Sequence, residues 1–212
     1  MQFLDLAATP SVPWKNGGGS TRELACWPPG AGMDSFAWRV SVATIARPGP
    51  FSAFPGVDRQ IMLLEGDGVQ LQAAAGQWQH ALTQRWEPFA FSGEEPVDCC
   101  MLGGVSTDFN LMLRRGEWGG SLQVLRDALP PAEGAAAGLC MVLQGQWAVL
   151  GGDAARVLQP GQGLWWPEAM GARVLQPLQP LSPEAANPHP FVPDARPALV
   201  WGCSSRPSLV RA

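Results

Sequence analysis

The sequence predicts an all-β protein, on three observations: a high content of glycine and proline, apolar residues that recur with a period of two, and short strand-like segments separated by glycine turns. The 212 residues include 25 glycines and 21 prolines, which would interrupt helices of ordinary length but are used freely in turns between strands. With 46% hydrophobic and 15% charged residues the chain can bury a sizeable core, and disorder is not expected.

The strand signals run in order along the chain. Trp38, Val40, Val42 and Thr44 alternate with Arg39, Ser41 and Ala43. The runs Arg59 to Glu65 and Val69 to Gln72 flank Gly66-Asp67-Gly68 and predict a hairpin. Pro88 to Gly93, Val97 to Leu102 and Phe109 to Arg114 continue at the spacing of a sandwich or small barrel. Asp127 to Gly138, with paired prolines and an alanine-glycine run, predicts a connector, because neither feature suits a paired strand. Beyond it, Leu139 to Gly145, Gln146 to Leu150 and Gly163 to Pro167 repeat the order of strand and turn. Gln176 to Pro197 carries seven prolines and predicts an extended surface loop before a closing strand at Ala198 to Cys203.

Both halves place a hairpin before a turn marked by proline or glycine: Glu65 to Gly68 with Trp86-Glu87-Pro88, then Gln144-Gly145 with Gln159-Pro160-Gly161-Gln162-Gly163. In this they resemble two degenerate cupin barrels. The expected architecture is therefore a bicupin, two cupin-like β-barrels of jelly-roll type in one chain. The expected division is 1–126 for the N-terminal segment and first barrel, 127–138 for the connector, and 139–212 for the second barrel, completed by the N-terminal strand.

Composition removes several function classes. A net charge of −4 without a basic run argues against a nucleic-acid partner, which requires clustered cations to displace phosphate counterions. No apolar stretch approaches the roughly 20 residues needed to span a bilayer, and Met1 to Pro13 lacks the pattern of a signal peptide, so no membrane partner and a cytoplasmic location are expected. Five cysteines without a C-x-x-C spacing predict free, mostly buried thiols, with Cys99 and Cys100 on opposite faces of one strand. The two histidines, His80 and His189, cannot build a three-His centre; mixed His and carboxylate ligation stays open but has no chelating spacing to seed it, and no metal or other cofactor is expected.

Three segments concentrate polar residues of unusual type. In Pro13-Trp14-Lys15-Asn16-Gly17-Gly18-Gly19-Ser20-Thr21-Arg22-Glu23, Lys15 is the sole lysine beside thirteen arginines, and the glycines permit close backbone approach to an anion. A plain turn at Asn16-Gly17 is the structural alternative. In the second segment, alternation places Arg59, Ile61, Leu63 and Glu65 on one face, where a buried arginine needs a partner or a ligand. In the third, Asp108, Asn110, Met112 and Arg114 share the face opposite Phe109, Leu111 and Leu113. Asp108 and Asn110 would lie about 7 Å apart, close enough to share a small ligand, although a solvated outer face is the default for such a strand.

Together these segments resemble the HutD/Ves family of bacterial proteins: Pro13 to Gly19 followed by Thr21 to Glu23, then Gly49 to Ser52, Phe54 to Gly56 and Asp58-Arg59, then Asp108 to Asn110 and Met112. The likeness is strong over the first 115 or so residues and looser beyond. It implies a metal-free bicupin with a polar pocket for a small ligand, lined by Lys15, Asn16, Arg22, Glu23, Arg59, Asp108 and Asn110. For HutD-type members it also implies regulation of histidine utilisation through a catabolic intermediate such as urocanate or a formylated glutamate. Ves-type members are linked to stress and cold responses.

The leading expectation is a non-catalytic protein that binds a small carboxylate, with no catalytic residue assigned, Lys15 and Arg59 neutralising it and Asn16 and Asn110 orienting it. The alternative is a cofactor-free lyase, isomerase or hydrolase with Glu23 or Asp108 as base and Lys15 as acid. A third reading takes the ten tryptophans, Trp165 and Trp166 among them, as anchors for a protein partner or a homodimer.

Overall fold

The computed structural model describes residues 1–128, 137–151, 155–167 and 173–178, and the backbone of 198–205. Most of the expected connector, most of the proline-rich loop and His189 lie outside the described residues. Every regular element described is a β-strand, and the strands form four sheets.

The central sheet has six strands, in the order β2 (Val12–Pro13), β3 (Gly19–Trp27), β4 (Trp38–Ile45), β11 (Ser106–Arg114), β6 (Val57–Glu65) and β9 (Pro88–Ser92). A four-stranded sheet comprises β5 (Gly49–Pro50), β10 (Val97–Met101), β7 (Val69–Ala73) and β8 (Gln79–Leu82). A five-stranded sheet comprises β1 (Gln2–Asp5), β16 (Gln162–Trp166), β13 (Ala137–Gln144), β18 (Ala198–Ser205) and β12 (Gly119–Leu125). The fourth has β15 (Arg156–Leu158), β14 (Gln146–Leu150) and β17 (Val174–Leu178). Hydrogen bonding closes none of the four into a barrel among the described residues.

Alternating side chains stack the sheets in layers. Phe109, Leu111 and Leu113 of β11, with Val40 and Val42 of β4, pack against Leu139, Met141 and Trp165 of the five-stranded sheet. On the opposite face of the central sheet, Ile45, Ile61 and Leu63 meet Val69, Leu71, Val97 and Cys99 of the four-stranded sheet. Cys140, Val142, Leu164 and Trp166 join the far face of the five-stranded sheet to Trp147, Val149 and Leu175 of the three-stranded one. Trp165 and Trp166 therefore face opposite ways as period two requires, and both are buried in core, Trp165 edge-on to Trp38 at 5.7 Å.

Two strands cross between the halves. β1 pairs with β16, and β12, which lies within residues 1–126, pairs with β18 in the five-stranded sheet. The described cysteines are free thiols, with Cys99 buried and Cys100 exposed. No described helix is long and apolar enough to cross a membrane.

Candidate functional site

The four-stranded sheet covers only part of the central sheet's inner face, and the uncovered part is the floor of a cavity of about 780 Å³. One wall is the hairpin of β2 and β3 with its approach, including Thr9, Pro10, Trp14, Lys15 and Asn16. The other is Pro50 to Ser52 with Phe54. The register of the floor strands explains which side chains reach it. Arg39 of β4, Met112 of β11 and Arg59 of β6 form one cross-strand row, and Ser41 and Asn110 stand in the next, with Glu23 of β3 opposite Ser41.

A bulge aims Glu23. The pairing of β3 with β4 shifts between Glu23 and Ala25, so that Leu24 and Ala25 both join the apolar core on the far face while Glu23 and Cys26 stay on the cavity side.

The two guanidiniums of the row are held differently. Arg39 Nε donates to Glu23 Oε2 at 2.7 Å, and its Nη1 donates to Ser41 Oγ at 3.3 Å and lies 3.9 Å from Met112 Sδ. Arg59 Nη2 donates to the neutral amide oxygen of Asn110 at 2.9 Å, its Nε has no partner, and the residue is only 8% exposed. The rings of Phe51, Phe54 and Phe91 stand 4.9 to 5.7 Å from the Arg59 guanidinium carbon. Such cation–π contacts return part of the desolvation cost, about 0.5–2 kcal/mol each, but supply no counter-charge. Burial, with the Arg39 charge second, lowers the Arg59 pKa to about 10, which leaves it a cation at neutral pH.

The remaining expected site residues divide into three groups. Lys15 and Asn16 line the mouth, exposed, and Asn16 Oδ1 accepts from Gly18 N at 2.9 Å to set the turn of the hairpin. Arg22 does not line the cavity: it stands opposite Val42 in the register, and its Nε donates to the carbonyl of Thr9 at 3.1 Å. Asp108 shares the inner face with Asn110 but lies deeper, where the two sheets meet, outside the cavity lining. It is fully buried, neither carboxyl oxygen has a partner, and burial pushes its pKa up to about 7. Five of the seven residues, Lys15, Asn16, Glu23, Arg59 and Asn110, thus share one cavity.

No group of His, Cys, Asp and Glu suited to a metal occurs among the described residues. The site offers cations and amide groups around an apolar wall, a donor set for an anionic organic molecule.

The HutD family model matches residues 6–179, a span that includes the whole cavity. The chain belongs to the HutD family. Protein Ves of Cronobacter sakazakii is 38% identical over 180 residues, 84% of this chain and 93% of that protein. The solved structure of HutD from Pseudomonas fluorescens SBW25 superposes with a TM-score of 0.75 at 27% identity, covering 97% of this chain and 98% of that one. A cupin 2 conserved barrel domain protein from Leptotrichia buccalis, 7% identical, covers 96% of each chain with a TM-score of 0.58, a likeness of fold alone.

In this HutD-family chain, Arg39 is the charged cavity residue that the sequence expectations left out. Its signal was present: Arg39 and Ser41 stand two residues apart, on a single face of a largely apolar strand. Arg22 and Glu23, as neighbours in one strand, could not both face the ligand, and the sheet sends Glu23 inward.

Proposed function

We propose that the cavity binds a small carboxylate metabolite and that the protein acts without catalysis, regulating histidine utilisation by sensing or sequestering a catabolic intermediate such as urocanate or a formylated glutamate. One observation carries the reading: Arg59 is a buried cation whose hydrogen-bonding side-chain partner is a neutral amide. A buried guanidinium lacking a counter-charge costs several kcal/mol, and an anionic ligand delivered to the cavity recovers that cost. Arg59 takes the carboxylate, Asn110 orients it, Lys15 draws the anion to the mouth, and the phenylalanine wall holds the ligand's apolar body. The link to histidine utilisation rests on family membership. The same reading takes the facing pairs of sheets, six with four and five with three strands, as two open cupin-like barrels.

Titration of the purified protein by calorimetry with urocanate, formiminoglutamate and N-formylglutamate, with ligand recovered and analysed afterwards, tests this. Saturable binding of one acid, recovered unchanged, is the expected result. Turnover would make the protein an enzyme, and absence of heat with all three would remove these ligands.

A further inference from the structure

Arg39 and Arg59 occupy one cross-strand row with Met112 between them, which places their Cα atoms about 10 Å apart across two strand spacings. Both side chains lie over the same cavity floor, and both are almost excluded from water. Only one already holds a carboxylate. Glu23 supplies it to Arg39, whereas Asn110 gives Arg59 an amide of nearly the same shape and no charge.

We propose that Glu23 determines the charge class of the ligand: by occupying Arg39 it leaves Arg59 as the one buried guanidinium that receives a carboxylate, so the cavity floor accepts a single acid group. This rests on the carboxylate reading of the cavity. A second acid group on the ligand must remain toward the mouth, where exposed Lys15 and water solvate it. If it reached the floor it would meet Glu23, whose repulsion adds to the loss of the Arg39 contact. Glu23 can be displaced or replaced without collapse of the core, because its side chain is 47% exposed while that of Arg39 is 9% exposed. The bulge at Leu24 is what delivers a carboxylate to this position in place of the apolar residues that follow.

The test compares two ligands of equal shape and different charge, N-formylglutamate and N-formylglutamine, against the wild-type protein and Glu23→Gln. Glutamine keeps the length and polarity of residue 23 and releases Arg39 from its ion pair. The ratio of the two affinities should shift in favour of N-formylglutamate by tenfold or more in Glu23→Gln, and the shift should shrink in high salt. A merely structural role for Glu23 would change both affinities alike and leave the ratio fixed, which overturns the proposal while leaving the carboxylate reading intact. Absence of heat with both ligands and both proteins would instead overturn the carboxylate reading, and this inference with it. Thermal unfolding of the variant, expected to stay cooperative at a midpoint lowered by the loss of the Arg39 counter-charge, shows that the comparison is between folded proteins.

Discussion

The Arg59 guanidinium donates to the Asn110 side-chain oxygen at 2.9 Å, a bond between a buried cation and a neutral amide. In the same row, Arg39 meets Glu23 at 2.7 Å and has its charge answered. The contrast lies in one atom, an amide nitrogen where a carboxylate would have an oxygen, and it gives Arg59 a hydrogen-bond partner that carries no counter-charge.

A buried guanidinium paired only with a neutral amide should cost the protein stability. Arg59→Met retains the apolar stem among Phe51, Phe54 and Phe91 and removes the charge. It should stabilise the ligand-free protein by about 1–3 kcal/mol, seen as a higher midpoint in urea, because burying an apolar side chain of similar length avoids the desolvation cost. An unchanged or lower midpoint would mean that Arg59 is satisfied within the protein itself.

Asn110→Asp tests the same point from the other side. The new carboxylate would pair with Arg59 at nearly the present geometry, and carboxylate ligands should bind at least tenfold more weakly, by calorimetry, as Arg59 is no longer open. Equal affinity in this variant would show that the ligand binds elsewhere.

Asp108 predicts a pH dependence of stability. Its pKa in the folded protein is about 7, raised by burial, against roughly 3.9 in an unfolded chain. Between these values the folded state binds more protons than the unfolded one, so stability falls as pH rises from about 4 to 7, by up to roughly 4 kcal/mol from this group. The buried Cys99 thiol, on which the Asp108 charge acts, is itself pushed up to about 12 by burial first and Asp108 second, so it does not ionise in that range. Asp108→Asn should flatten the decline measured by urea unfolding at a series of pH values. A variant with the same slope as wild type would contradict the assignment.

The three glycines of the hairpin should not behave alike. A Cβ at Gly19 would overlap the Thr44 carbonyl oxygen, because β3 and β4 approach closely there, and the backbone itself would have to move. Gly17 has a φ of +67° and open space around it, so alanine there costs about 1 kcal/mol of backbone strain. At Gly18 a Cβ would stand 3.2 Å from Asn16 Oδ1, a side-chain atom that can yield. Gly19→Ala should therefore lower thermal stability most and carry ligand affinity down with it, since the same hairpin holds Lys15 and Asn16. Equal effects at Gly18 and Gly19 would argue against this packing.

Much of the fold was legible because strand periodicity is local. Phe109, Leu111 and Leu113 against Asp108, Asn110 and Met112 could be assigned to two faces from β11 alone. Which face met water could not, since that depends on the four-stranded sheet and the hairpin covering it from elsewhere in the chain. Both faces are buried, and the solvated default fails at Asp108 and Asn110 for that reason. Arg22 was placed with Glu23 through a shared motif, although period two separates them. Arg39 escaped notice because its importance comes from pairing across strands, Met112 beside it and Arg59 beyond, a relationship that spans 73 residues to Met112 and appears only in the register.

Under the proposed function, the buried Arg59 cation receives the ligand's carboxylate. The most direct measurement is calorimetric titration of the wild-type protein and Arg59→Met, in parallel, with whichever of urocanate, formiminoglutamate and N-formylglutamate binds wild type. Affinity should fall about 30-fold or more in the variant, the worth of a charged hydrogen-bonded contact of about 2 kcal/mol or more, with the variant folded and at least as stable. Equal affinity in the two proteins would contradict it.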